Sequence, residues 1–139
     1  MNDKYKTMIR QHTQAIEKLL EQNNVANDYG VAALSWLETY IVEQRAGATN
    51  AHKRWMVEAI GSYFGESLVK AYGGVWDEKR QELAIRMVDG KLNAFPLIKV
   101  AKFLSAGESE SFVRLFGVIP EMKKQALERP QRPPKGSPK

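Results

Sequence analysis

GSYFGESLVKAYGGVW, residues 61–76, is the stretch that decides how the rest of the chain is arranged. Its apolar side chains keep the spacing of a helix, yet two glycines stand four positions apart in the interior, where each costs about 1 kcal/mol relative to alanine. Such glycines indicate that a neighbouring helix or a sheet approaches the backbone closely. The Gly-Gly pair predicts a left-handed helix stop, after which a tryptophan begins a strand. The structural residues predicted in and after this stretch are Gly61, Gly65, Glu66, Gly73, Gly74, Trp76 and Pro96.

Two helical patterns precede this helix. Apolar residues at three- and four-residue intervals predict a first helix from Tyr5 to Asn23 and a second, broadly apolar one from Tyr29 to about Ala46. Thr49 or Asn50 is suited to cap the third helix. The N-terminal half is therefore predicted to consist of three helices.

Residues 75–95, after the glycine pair, are predicted to form a three-stranded antiparallel meander. Turns are expected near residues 79–80 and at residues 89–90, where Asp-Gly favours a two-residue hairpin loop. That loop places Met87 opposite Leu92 on the apolar side of the sheet. The other side is mostly polar and is expected to face water or a partner.

The chain after the meander is predicted to continue as two or three short helices. Pro96 suits the first turn of one helix, and Gly107 suits its end. Ser109 or Ser111 can cap the next helix. Pro120 is expected to begin a further short, polar helix.

Residues 129–139 are rich in proline and basic side chains and contain no aliphatic one, so they are predicted to be a disordered tail. Residues 1–128 have the length of one domain. The predicted fold class is α+β: three N-terminal helices, a three-stranded antiparallel meander, two to three short C-terminal helices, and the basic tail.

Most of the excess positive charge lies near the C-terminus of this chain of 139 residues, whose net charge is +5. Residues 121–139 contain six basic and two acidic residues, whereas the preceding 120 residues contain fifteen and fourteen. A nearly neutral folded part is a poor match for a phosphate backbone. Binding to nucleic acid or to an acidic partner is therefore an alternative that depends on the tail. The basic residues predicted to make those contacts are Lys123, Lys124, Arg129, Arg132 and Lys135.

The sequence lacks the common catalytic and cofactor motifs. It has no cysteine, no phosphate-binding glycine motif and no nucleophile elbow. Its two histidines lie in different predicted helices: His12 is expected at the edge of the core and His52 exposed in a first turn. No metal and no cofactor are predicted. Glu66 leaves two alternatives open, a carboxylate hydrogen-bonded within the fold, for example to a tryptophan indole, or a perturbed general base.

No targeting or membrane segment is predicted. The N-terminus lacks an apolar stretch of signal-peptide length, and no apolar run approaches the roughly 20 residues that span a bilayer. The absence of cysteine agrees with a reducing compartment, so a cytoplasmic location is predicted.

The segments IGSYFGESLVKAYGGVW and FPLIKVAKFLSAGESESFVRLF, separated by a hairpin, resemble a group of uncharacterised bacterial proteins. Their shared pattern is aromatic-x-Gly-Glu-x-Leu, Gly-Gly-x-Trp, a short sheet, a proline-led helix and a Gly-Glu/Asp-Ser turn. The resemblance covers about residues 55–119. It implies a small α+β protein of the kind found as immunity partners of toxins or as accessory proteins in bacterial competition.

The leading functional prediction is a non-enzymatic protein-binding module, specifically an immunity-type protein that covers a toxin's active site. The weak binder acting through the basic tail is the alternative, and an enzyme using Glu66 is the second alternative. No membrane partner is predicted, and the oligomeric state stays open. The partner surface is predicted on the free side of the sheet and on helix edges, at Arg54, Trp55, Arg86, Lys91 and Asn93.

Overall fold

The structure, a computed structural model, describes residues 1–129, so Arg132, Lys135 and the predicted disorder of the last ten residues lie outside it. The predicted α+β class is confirmed, with three helices before a three-stranded antiparallel sheet and two after it. No helix within residues 1–129 is both long and apolar enough to cross a membrane. The elements are α1 (Asp3–Gln22), α2 (Val31–Arg45), α3 (Asn50–Tyr72), β1 (Val75–Lys79), β2 (Glu82–Met87), β3 (Leu92–Ala94), α4 (Pro96–Ala106) and α5 (Phe112–Glu128).

Helix α3 is the centre of the molecule, with α1, α4 and the sheet packed around it. Thr49 caps its first turn, accepting a hydrogen bond from the His52 backbone N–H at 3.1 Å. A Cβ added at Gly61 would lie 2.9 Å from the Cα of Leu97, so this glycine lets α4 approach the α3 backbone. Gly73 ends α3 at φ 72°, the left-handed conformation that the Gly-Gly pair predicts.

Helix α2 begins two residues later than predicted. The Asp28 side chain accepts hydrogen bonds from the backbone N–H groups of Gly30 at 2.9 Å and Ala33 at 3.2 Å. Tyr29 has φ 49°, which is outside the helical region. The Asp28 turn therefore displaces the start of the helix to Val31.

The meander has the predicted strand order and the predicted Met87–Leu92 pair. The first turn is centred on residues 80–81, one residue later than predicted, and both residues have positive φ. The second turn is the predicted two-residue loop: Asp89 and Gly90 have φ 52° and 85°, and the Lys91 backbone N–H donates to the Val88 carbonyl at 3.0 Å.

The second side of the sheet is less open than the alternating pattern predicts. Ala84 is fully buried, and Asn93 is half-buried beside α4 and α5. Only Arg86 and Lys91 are exposed among the polar residues predicted to lie there. Helices α4 and α5 therefore cover part of this face.

Helix α5 runs unbroken through Pro120, where sequence reasoning predicts a separate helix. Proline has no N–H, so the carbonyl of Phe116 one turn earlier loses its helical donor. The hydroxyl of Tyr72 donates a hydrogen bond to that carbonyl at 2.7 Å. This contact from the end of α3 lets α5 continue across the proline.

Candidate functional site

The glycines and Glu66 of the third helix have a direct structural explanation. The indole N–H of Trp76 donates to Oε1 of Glu66 at 2.9 Å. A Cβ at Gly65 would lie 2.1 Å from the Trp76 ring, and one at Gly74 would lie 2.3 Å from the Ile85 side chain. These glycines make room for side chains of β1 and β2, and Glu66 anchors the indole that fills the space.

Glu66 and Trp76 also line an open cavity of about 310 Å³ between α1, α3 and β1. Helix α1 contributes Lys6, Arg10 and Thr13 to it. No histidine lines the cavity, and Lys6 is the residue beside Glu66 in its lining that could take part in proton transfer. The enzyme hypothesis for Glu66 stays a prediction.

Four half-buried rings form a continuous aromatic patch across α2 and α3, made of Trp36, Tyr40, His52 and Trp55. The ring centroids of the stacked Trp36–Tyr40 and His52–Trp55 pairs are 5.6 and 5.7 Å apart. Tyr40 meets His52 edge-on at 6.4 Å and joins the two pairs. Burial raises the pKa of the Tyr40 phenol.

The prediction that His52 is exposed is wrong, because its ring is half-buried and stacked on Trp55. Trp36 and Tyr40 are half-buried as well and pack against the core at its edge. The sequence contains a signal for each half of the patch: two aromatic residues at i and i+4 on one helix, and a His-x-x-Trp spacing on the next. That signal does not say that the two helices bring their pairs together.

Of the exposed residues of α2 only Glu43 is charged, and it lies on the side of the helix that carries the patch. Val31 and Val42 are 56% and 47% exposed, which is high for aliphatic side chains, but they lie on the side of α2 away from the patch. Arg54 is exposed on the neighbouring helix next to Trp55.

The predicted partner surface divides into two separate regions. Trp55 lies about 25 Å along the helix axis from the C-terminal end of α3, at 1.5 Å per residue. Arg86 pairs with Val75 just beyond that end, and its guanidinium contacts Asp77 at 3.2 Å. Lys91 is exposed near the second turn of the meander. A single interface that uses both groups would have to follow the length of α3.

Asn93 is the least suited of the five predicted contact residues. Its side-chain amide donates to the Gly90 carbonyl at 3.2 Å. Its Oδ1 is buried, and no hydrogen-bond donor within residues 1–129 reaches it. The side chain lines a cavity of about 180 Å³ between β3, α4 and α5. The carboxamide therefore belongs to the packing of the second turn.

Of the basic residues assigned to the tail, Lys123 has a partner within the fold. Its ammonium donates to the carbonyl of Tyr72 at 2.9 Å, at the C-terminal end of α3, where a positive charge is favoured. Lys124 and Arg129 are exposed. Binding through the tail stays a prediction, and Lys123 is its weakest candidate.

Within residues 1–129, no group of three or more histidine, aspartate or glutamate side chains is placed to hold a metal ion. His12 lies 3.4 Å from Glu58, at the core edge as predicted. Comparison of the chain with protein-family models, with curated proteins and with solved structures gives no match. The resemblance to uncharacterised bacterial α+β proteins therefore stays a prediction based on the motifs alone.

Proposed function

We propose that this protein is a non-enzymatic binding module for another protein, and that the aromatic patch is the centre of its interface. The observation that carries the proposal is the continuous set of half-buried rings that two helices contribute. Tryptophan, tyrosine and arginine dominate the binding energy of protein interfaces, and charged residues are depleted at interface centres. Arg54 provides a cation at the edge.

The form of the partner follows from this surface. A partner with an apolar centre would cover the rings, and carboxylates at its edge would pair with Arg54. Immunity proteins must cover a toxin domain tightly without performing chemistry. We propose this role in a bacterial cytoplasm as the specific form, on the strength of the motif resemblance.

Comparative capture from a native lysate tests the proposal. The full-length protein, Arg54→Glu, Trp55→Phe and Arg86→Glu would be used as bait, and the recovered partner would then be titrated with each purified variant. We expect Arg54→Glu to weaken binding by about tenfold or more, because it reverses an exposed charge at a hot-spot edge. Trp55→Phe should weaken binding less while preserving the stack.

Arg86→Glu is the control at the other end of α3, since it also reverses an exposed arginine, one that pairs with Asp77. Equal melting temperatures for the variants would show that folding is unaffected. Loss of binding with Arg86→Glu alone would move the interface to the sheet and contradict the patch. Binding unchanged by all three variants would overturn the assignment of both surfaces.

A further inference from the structure

A second candidate site lies in the cavity between α1, α3 and β1, where Glu66 is about 16 Å from Trp55 along α3 at 1.5 Å per residue. We propose that this cavity binds a free acidic amino acid. The proposal is independent of the aromatic patch and uses the one sequence motif, Gly65-Glu66 with Trp76, for which the proposed protein-binding function has no use.

The charged side chains that line the cavity are complementary to such a ligand. Lys6 and Arg10 lie one helical turn apart on α1, Glu66 lines the cavity from α3, and the N-terminal Met1 also lines it. Neither Lys6 nor Arg10 takes part in an ion pair within the part of the chain that the structure describes. Two positive side chains and one negative side chain complement a molecule with two carboxylates and one ammonium.

Glu66 is held in position before any ligand arrives. Its Oε1 accepts the Trp76 indole N–H, and the indole is in turn packed against Gly65. The second carboxylate oxygen receives no hydrogen bond from any group within residues 1–129, so it is available to an ammonium. Restricting the carboxylate in advance reduces the entropy that binding costs.

The opposite side of the cavity provides the donors for carboxylates. The guanidinium of Arg10 can bind a carboxylate through two parallel hydrogen bonds, and Lys6 can bind the second carboxylate as a point charge. The Thr13 hydroxyl already donates to the Arg10 carbonyl at 2.9 Å, so the Thr13 hydroxyl oxygen can accept a hydrogen bond from the ligand's ammonium. The volume of about 310 Å³ suits a small molecule.

Calorimetric titration of the full-length protein with L-glutamate and L-aspartate tests the site. We expect saturable binding of at least one of them. N-acetyl-L-glutamate lacks the ammonium and should bind at least about tenfold more weakly, since it leaves Glu66 unpaired. L-lysine carries the opposite charge balance and should not bind. Absence of binding by both acidic amino acids at millimolar concentrations would overturn the proposal.

Two variants test the residue assignment. Arg10→Ala and Glu66→Gln should each weaken L-glutamate binding by about tenfold or more, and Gln keeps an acceptor for the indole. Lys18→Ala removes an exposed lysine of α1 outside the cavity and should bind as the wild type does. Unchanged affinity in Arg10→Ala would refute the site.

One further result would decide against the proposal, and one control separates it from the protein-binding function. Recognition of a peptide whose first residue is glutamate, without recognition of the free amino acid, would contradict a free ligand. Because Arg54→Glu lies outside the cavity, it should leave L-glutamate binding intact, so failure here is distinguishable from failure of the protein-binding function.

Discussion

Three features depend on Gly65: the packing of α3, the position of β1 and the candidate amino-acid cavity. The absence of a Cβ lets the Trp76 ring lie against the helix backbone, and the ring then fixes the Glu66 carboxylate. The adjacent residues Gly65 and Glu66 therefore make two contacts with one strand residue, Trp76: packing against its ring and a hydrogen bond with its indole N–H.

We expect Gly65→Ala to lower the free energy of unfolding by about 2 kcal/mol, because overpacking outweighs the gain in helix propensity. The added Cβ would lie 2.1 Å from one ring carbon of Trp76 and 3.2 Å from Pro96, and the ring is held by its indole hydrogen bond. Urea denaturation monitored by circular dichroism measures the change.

Gly117→Ala is the matched control, because no atom lies within 4 Å of the Cβ that it would add to exposed helix α5. It should raise stability by up to about 1 kcal/mol, the usual difference in helix propensity. If both variants changed stability alike, the close packing at Gly65 would not be the reason for the glycine.

At the scale of elements, α5 depends on α3 across Pro120. We expect Tyr72→Phe to cost about 1–2 kcal/mol in the wild type, because the Phe116 carbonyl loses its donor. In a Pro120→Ala background the new backbone N–H can donate to that carbonyl, so the same substitution should cost less. Urea denaturation of the wild type, the two single variants and the double variant gives the coupling energy between Tyr72 and Pro120. An equal cost of Tyr72→Phe in both backgrounds would contradict the compensation.

The elements themselves are the part that the sequence predicts well, because their signals are local. Helix periodicity, caps such as Thr49, the Gly73 stop and the Met87–Leu92 pairing all depend on residues close in the chain. The Asp89-Gly90 loop is likewise predicted from two adjacent residues. The helix start predicted at Pro120 is wrong, because the Tyr72 hydroxyl that replaces the missing donor lies 48 residues away in the sequence.

At the scale of the whole molecule, the sites depend on contacts that local patterns cannot predict. The aromatic patch joins rings from two helices, and the cavity joins α1 to a motif more than fifty residues later. Arg54 and Arg86 share a chemical character, and sequence reasoning assigned them to one surface. The length of α3 separates them.

A buried tyrosine network links α1, the loop before α2, and α3. The Tyr63 hydroxyl accepts the Tyr29 backbone N–H at 3.0 Å and donates to the Asn27 side chain at 2.7 Å. The Tyr29 hydroxyl donates to Glu17 at 2.8 Å. Burial raises the pKa of Tyr63 from 10.0 to about 12, and burial together with the Glu17 carboxylate raises the pKa of Tyr29 further.

The molecule is therefore expected to lose stability in alkali. Folded Tyr63 keeps its proton while the unfolded chain loses it, so its contribution is complete below pH 10 and declines as the pH rises from about 10 to 12. Urea midpoints measured across this range should fall in the wild type and fall less steeply in Tyr63→Phe. Tyr5→Phe, which removes a hydroxyl outside the network, is the control. A slope unchanged by Tyr63→Phe would mean that alkaline unfolding begins elsewhere.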